Sequence, residues 1–555
     1  MAARFAVVNG MAGTGVQQAL RRYADWCSRN DLSPPSIISL EDDHLVPLAR
    51  DTVSKLHPRF QPADVTIMEV LQLPKPLLME FWSKAFDEAL IGIRESLASE
   101  QPVILTFHAA WFHLGEREYM SGIDFGRLAN LKERPDIVFT LVDDIYDVKA
   151  RLSRRHGLFS YNVDEPDDYH TAVLRLLRIL DWRNTENVLA SKVAEITESP
   201  HFVLAVKHPI VVFHNLFVGT DKKLVYVAHP ISEIRRLNRG TEEQKILAEQ
   251  VVERVQDLCV RLSEHFIVIE PTAIDELRFD FTVDFEDQSI YLPQLGWRWP
   301  LPSDEASDLL FEAPQEPDDA FGPSWAQFAQ EIADIGIENL DQTQNEKIRQ
   351  AWPSLKALQE QILEQITARD YSLVTQASGL AVYRPAFRGN ESGGVQREIT
   401  HHRILQQAGL DRAKVVILHP EADERDTLVS NFKRIVDSWQ EAGILQCQPA
   451  QIASLKSDLT FDQLQSIQDA NTDLSKGQAI SELLGKFGIE ILTRTARAMA
   501  PDPSVVAREE ESERGKLFAG LQSYISSLII TEDVEVIRED LSIIDFAQRV
   551  VNRIN

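Results

Sequence analysis

Cysteine is nearly absent. Cys27, Cys259 and Cys447 are the three in 555 residues, too sparse for a disulfide framework and never paired at metal-ligand spacing. That excludes the disulfide-stapled secreted class and implies no resident metal. Positive charge is also short, with 57 Lys and Arg against 85 Asp and Glu and a net charge of -28. A broad nucleic-acid surface carries a basic excess, so that class of partner is not expected. A single nucleotide remains open, because a few local donors hold it whatever the total charge. No apolar run is long enough to span a bilayer. The N-terminal run Phe5 to Val8 is too short for a signal peptide and is followed by Gly10. No membrane partner is expected, and cytoplasm is the expected compartment. Internal repeats and low-complexity tracts are missing too.

The remaining composition is ordinary for a globular protein, 44% hydrophobic and 26% charged. The length exceeds one hydrophobic core and predicts two or three domains. Short apolar runs alternate with amphipathic stretches. Arg4 to Asn9, Ile37 to Leu40, Pro102 to Phe107, Asp136 to Val142 and His201 to Val206 read as strands. Val16 to about Arg29, Leu78 to Ala98 and Tyr169 to Val193 read as helices between them. The second strand ends at Glu41-Asp42-Asp43 and the third leads to His108.

The pattern then restarts. Lys223 to Ala228, Phe266 to Glu270, Gly379 to Tyr383 and Lys414 to Leu418 are strands. Glu242 to Glu264, Ile348 to Ile366 and Gly394 to Gln407 are helices. Alternation of this kind predicts an α/β fold with two parallel-sheet domains. The expected division is 1–220, then 221–430 with an insertion at about 283–345, then a mostly helical C-terminal region at 431–555 with room for minor strands at Ile444 to Gln448 and Tyr524 to Ile530.

Gly10-Met11-Ala12-Gly13-Thr14-Gly15 sits between the first strand and the first helix. Glycine lets such a turn take positive φ and approach a ligand, and the helix N-terminus favours phosphate. Further on, Phe139-Thr-Leu-Val142-Asp143-Asp144 is followed by Arg151, Arg154 and Arg155. Over roughly residues 1 to 210 this arrangement resembles adenylate-kinase-like P-loop kinases. The resemblance implies a P-loop fold, with Gly10, Gly13, Thr14, Gly15 and the three arginines around the phosphates of ATP or another nucleotide. The departure lies after the last glycine. The family places Lys and then Ser or Thr there, whereas this chain has Val16 and Gln17. The lysine stabilises the transferred phosphoryl and the hydroxyl holds magnesium, so their loss predicts weak or absent phosphoryl transfer.

The second motif has two parts. Leu224-Val-Tyr226-Val-Ala228-His229-Pro230-Ile231-Ser232 is a strand entering a proline-fixed loop. Ala381-Val-Tyr383-Arg384-Pro385-Ala-Phe387-Arg388-Gly389-Asn390-Glu-Ser392-Gly393-Gly394-Val395-Gln396-Arg397-Glu398 is a strand, a glycine-rich loop and a helix start. Free N–H groups at that start favour a polar or anionic group. Glu398 lies about one turn in and can face a sugar, while Arg384 and Arg388 can grip phosphate or carboxylate. Both parts resemble nucleoside 2-deoxyribosyltransferases and related nucleotide N-glycosidases, over roughly residues 222 to 422. The resemblance implies a Rossmann-like domain that often oligomerises, with Glu398 attacking the anomeric carbon. Tyr226, His229, Pro230, Ser232, Ser392, Gly393 and Gly394 would line the substrate. The acidic residue usual before the late strand is replaced by Gln376-Ala377-Ser378, and Asp370 is the candidate second carboxylate.

Together these motifs predict cleavage or exchange of an N-glycosidic bond, beside a nucleotide-binding domain that has lost its lysine. Such a pairing suggests stress or antiphage defence. Two alternatives stay open: a catalytically inactive nucleotide sensor or scaffold whose C-terminal region recruits a partner or a second copy, and a kinase-like phosphotransferase.

Overall fold

Phe5–Asn9 is an unbroken buried run and forms strand β1. Strands buried on both faces read as continuous apolar segments, and parallel sheets are built from them. The structure, a computed structural model, describes residues 4–113, 118–130, 132–153, 168–238, 240–274, 276, 282–284, 289–291, 309–310, 325–383, 393–409, 414–418, 429, 432–433, 436–437, 439–440, 445–460, 463–464, 473–491, 534–537 and 541–555. The chain is α/β, and it divides into two units. One comprises Met1–Lys222 and Ile269–Leu373, the other Lys223–Val268 and Val374–Asn555.

In the first unit, helix α1 (Val16–Arg29) follows β1 and buries Val16, Ala19, Leu20, Tyr23 and Cys27, which share one face. Strand β2 is Ser36–Ser39, helix α2 is Lys75–Ala98, and strand β3 is Val103–Phe107. Strand β4 (Ile137–Val142) leads to helix α3 (Ile145–Ser153), and helix α4 (Tyr169–Thr197) leads to strand β5 (His201–Ala205). All five strands run parallel in the order β2-β3-β1-β4-β5. Asp168 caps α4 by accepting the Thr171 N–H at 2.7 Å.

The stretch Ile269–Leu373 was expected within the second domain, yet it clusters with the first unit. Specific contacts hold it there. Arg183 on α4 forks both guanidinium ends onto Glu276 at 2.6 and 2.9 Å. Glu276 also accepts the Ile145 N–H that opens α3, at 2.9 Å. Phe328 stacks on Tyr169 with ring centroids 4.2 Å apart.

In the second unit, strand β6 is Leu224–Ala228, followed by helices α5 (Ile231–Asn238) and α6 (Glu242–Ser263) and strand β7 (Ile267–Ile269). Helix α7 (Glu346–Gln376), which lies in the first unit as far as Leu373, carries the chain back to strand β8 (Gly379–Tyr383). Helix α8 (Gly393–Gln407) and strand β9 (Lys414–Leu418) follow. The last strand, β10 (Val534–Ile537), pairs parallel with β9, Val415 opposite Val534. The sheet order is β10-β9-β8-β6-β7. In chain order this reads second, first, third, fourth, fifth, a doubly wound arrangement.

Strand β10 corrects one expectation, since that part of the C-terminal region reads as helical. The strand has only four residues, too few for the alternation that reveals a strand in sequence. The short strand Leu445–Gln446 falls within the expected Ile444 to Gln448 run. Tyr524 to Ile530 lies outside the described residues.

The Arg183–Glu276 pair is nearly fully buried, and breaking one partner strands the other charge. Arg183→Met is expected to lower the stability of the first unit by about 3–5 kcal/mol, read as an earlier transition in urea unfolding followed by fluorescence.

Candidate functional site

Parallel strands point their carboxyl ends the same way, and ligands of open α/β sheets bind outside that edge. A cavity of about 320 Å³ opens there in the first unit, over the ends of β1, β2 and β3. Gly10, Gly13, Gly15 and Arg151 line it, and Thr14 is buried beneath the turn without lining it. Arg154 and Arg155 lie outside the described residues.

The turn's glycines are required by the fold itself. Gly13 and Gly15 have φ of 89° and 88°, a region that L side chains enter only at a cost. A Cβ on Gly10 would stand 2.7 Å from the Leu141 carbonyl oxygen, and one on Gly13 would stand 2.9 Å from Leu152 Cγ of α3. Val16 is packed in the core. Arg151 forms an ion pair with buried Asp143, and Lys207 approaches Asp143 at 3.1 Å and Asp147 at 2.7 Å. Of the three arginines proposed for phosphate, Arg151 therefore has its charge balanced by Asp143.

Glu41 and His108, which are not among the predicted site residues, also stand on the cavity wall. Glu41, just after β2, accepts the His108 N–H at 2.8 Å and faces His108 Nδ1 at 3.5 Å. That pairing raises the His108 imidazole above its ordinary range, against the opposing effect of burial. The His108 ring lies 4.1 Å from that of Trp111. Behind them, fully buried Glu186 accepts the Ala109 and Ala110 N–H groups at 2.7 and 2.6 Å. Burial pushes its carboxyl up to about 7, while His108 and the two N–H groups pull the other way. The available signal was positional: Glu41-Asp42 and His108 each follow a parallel strand directly.

In the second unit the strand order reverses between β6 and β8, the switch point where ligand crevices form. Tyr226 on β6 and Glu398 on α8, the helix after β8, meet there. The Tyr226 hydroxyl donates to Glu398 Oε1 at 2.7 Å, and both side chains are buried. His229 and Pro230 are buried just beyond β6. Burial lowers the His229 imidazole to about 4, so it is neutral. Ser232 lies in α5, and Gly393 and Gly394 open α8. Arg384, Arg388 and Ser392 lie outside the described residues. Asp370 belongs to the first unit, where it pairs with Arg369 at 2.9 Å. Burial raises its carboxyl above the ordinary range, partly offset by Arg369. Arg369 also donates to the Pro271 carbonyl at 2.9 Å, as a structural tie would.

Among the described residues, no group of three or more His, Cys, Asp and Glu is arranged to hold a metal, and no helix is long and apolar enough to cross a membrane. No protein-family model matches the chain, and no curated protein matches it either.

Glu186 yields a pH prediction. Its unfolded carboxyl ionises near 4.5, whereas the folded one keeps its proton up to about 7. The folded state therefore holds the extra proton between those values, and its contribution to stability is lost as pH rises through about 7. The raised His108 acts in the same direction at the upper end of that window. Glu186→Gln is expected to flatten the fall in the first unit's unfolding midpoint between about pH 4.5 and 7, measured by urea titration at a series of pH values.

Proposed function

We propose that the second unit cleaves or exchanges the N-glycosidic bond of a nucleoside or nucleotide, with Glu398 as the nucleophile. The observation that carries this reading is the 2.7 Å hydrogen bond from Tyr226 to Glu398 at the switch point of the sheet. The doubly wound strand order also agrees with a deoxyribosyltransferase-like fold. A phenol donating to one carboxylate oxygen fixes the direction of the carboxylate. The carboxylate attacks the anomeric carbon, the bond to the base nitrogen breaks, and the base leaves with that electron pair and takes a proton. Water or a second base then attacks the same carbon and frees Glu398. Arg384 and Arg388 would hold a phosphate where the substrate carries one. Hydrolysis would deplete a nucleotide pool, which is the logic of stress or phage defence.

For the first unit we propose binding without phosphoryl transfer. The P-loop-like order of turn, strand and helix supports a nucleotide-related ligand. Val16 and Gln17 in place of Lys and Ser or Thr weigh against transfer, as does the engagement of Arg151 by Asp143.

The experiment follows free base by chromatography while the purified chain is offered nucleosides, nucleotides and NAD. Wild-type protein is expected to release base from at least one of them. Glu398→Gln is expected to lower the rate at least about 100-fold, and Tyr226→Phe about 10-fold. A rate that survives Glu398→Gln unchanged would sink the assignment.

A further inference from the structure

The cavity of the first unit carries an inference that does not rest on Glu398. Its volume, about 320 Å³, is near the lower end of small-molecule pockets, roughly 300–1,000 Å³. The described lining contains two arginines and no lysine. Arg151 is paired with Asp143, which leaves Arg21 as the other guanidinium on the wall. Glu41 and Asp42 stand beside each other on the same wall, and each carboxylate repels an anionic ligand. A triphosphate placed here would meet Glu41 and Asp42 set against Arg21 and the His108 ring, a wall with no excess of positive charge to hold it.

The polar groups on the wall want a different partner. Trp111 is 3% exposed, and its indole N–H finds no hydrogen-bond acceptor among the described residues. An orphaned buried donor costs about 1–3 kcal/mol, so a ligand acceptor at this point would be stabilising. Glu41 is the complementary case. It is 4% exposed, Oε1 accepts the His108 N–H, and among the described residues no hydrogen bond reaches Oε2. An ionised carboxylate has roughly four lone-pair sites, so it has capacity for a ligand hydroxyl or amine. The partly exposed rings of His108 and Phe112 offer surfaces on which a flat ring can stack. Ile67, Met68 and Leu71 supply the apolar side.

We propose that this cavity binds an unphosphorylated nucleoside, in preference to a nucleoside triphosphate. The base stacks on the His108 and Phe112 rings and accepts from Trp111, and a sugar hydroxyl or an exocyclic amine donates to Glu41. The glycine turn then forms one wall of a nucleoside site and carries no phosphate.

The test uses the full chain with Glu398→Gln, so that no nucleoside is consumed. Adenosine, guanosine, cytidine, thymidine and ATP, the last with and without magnesium, are titrated by calorimetry. Hydrogen exchange is read on peptides covering 8–18 and 106–112. At least one nucleoside is expected to protect both peptides, and ATP to bind at least 10-fold more weakly in either form. Added Glu41→Gln is expected to weaken that nucleoside 10-fold or more. Trp111→Phe, which keeps a ring and removes only the N–H, is expected to weaken it about threefold or more. Protection by ATP at similar affinity, with or without magnesium, would overturn the proposal. So would nucleoside protection confined to 393–407, an outcome that leaves the Glu398 reading standing. Unchanged affinity in a folded Glu41→Gln protein, or no nucleoside bound, would overturn it as well.

Discussion

A parallel strand cannot turn straight back into its neighbour. It must cross over a face of the sheet, and every carboxyl end therefore opens on one edge. Both five-stranded sheets of this protein obey that constraint, and the placing of their candidate site residues follows from it. In the first unit Gly10–Gly15, Glu41 and His108 come from segments separated by as many as 98 residues, yet each is the first thing the chain does after a strand. In the second, Tyr226 and Glu398 are 172 residues apart and meet where the strand order reverses. The strand order brings these residues together whatever their distance in the chain.

The two sites are balanced differently. In the Tyr226–Glu398 pair a buried hydrogen bond aims one carboxylate. Around the cavity of the first unit charged and polar groups are paired with one another: Glu41 with His108, Arg151 and Lys207 with Asp143, Glu186 with two backbone N–H groups. Such internal pairing leaves little charge for an anionic ligand. It leaves uncharged hydrogen-bonding capacity at Trp111 and Glu41.

Much of the fold was legible because continuous apolar runs announce buried parallel strands. Gly379–Tyr383 and Lys414–Leu418 have the bounds expected of them. Strand β10 was not legible, because four residues with Glu535 among them have no pattern of their own and become a strand by pairing with β9. The return of Ile269–Leu373 to the first unit was equally hidden, since it depends on Arg183 finding Glu276 across 93 residues. Glu398 stood out through its glycine-rich loop. Its partner Tyr226 is a mid-strand residue like many others until the distance between them is known. Glu41 and His108 were read as strand ends, because their meaning lies in a shared edge that no local spacing encodes.

Val16 has a consequence for how this chain can change. In the P-loop pattern a lysine follows the last glycine of the turn. Here the Val16 Cγ2 atom lies 2.8 Å from where a Cβ on Gly10 would be, packed into the core at the root of the turn. Leu152 is packed against Gly13, and Arg151 is bound to Asp143. A lysine placed at position 16 would displace this packed methyl group, beside an arginine whose charge Asp143 already balances. The packing that holds the turn together thus makes position 16 answer to the shape of the core as well as to the cavity it borders, so that a change of charge there is also a change of packing.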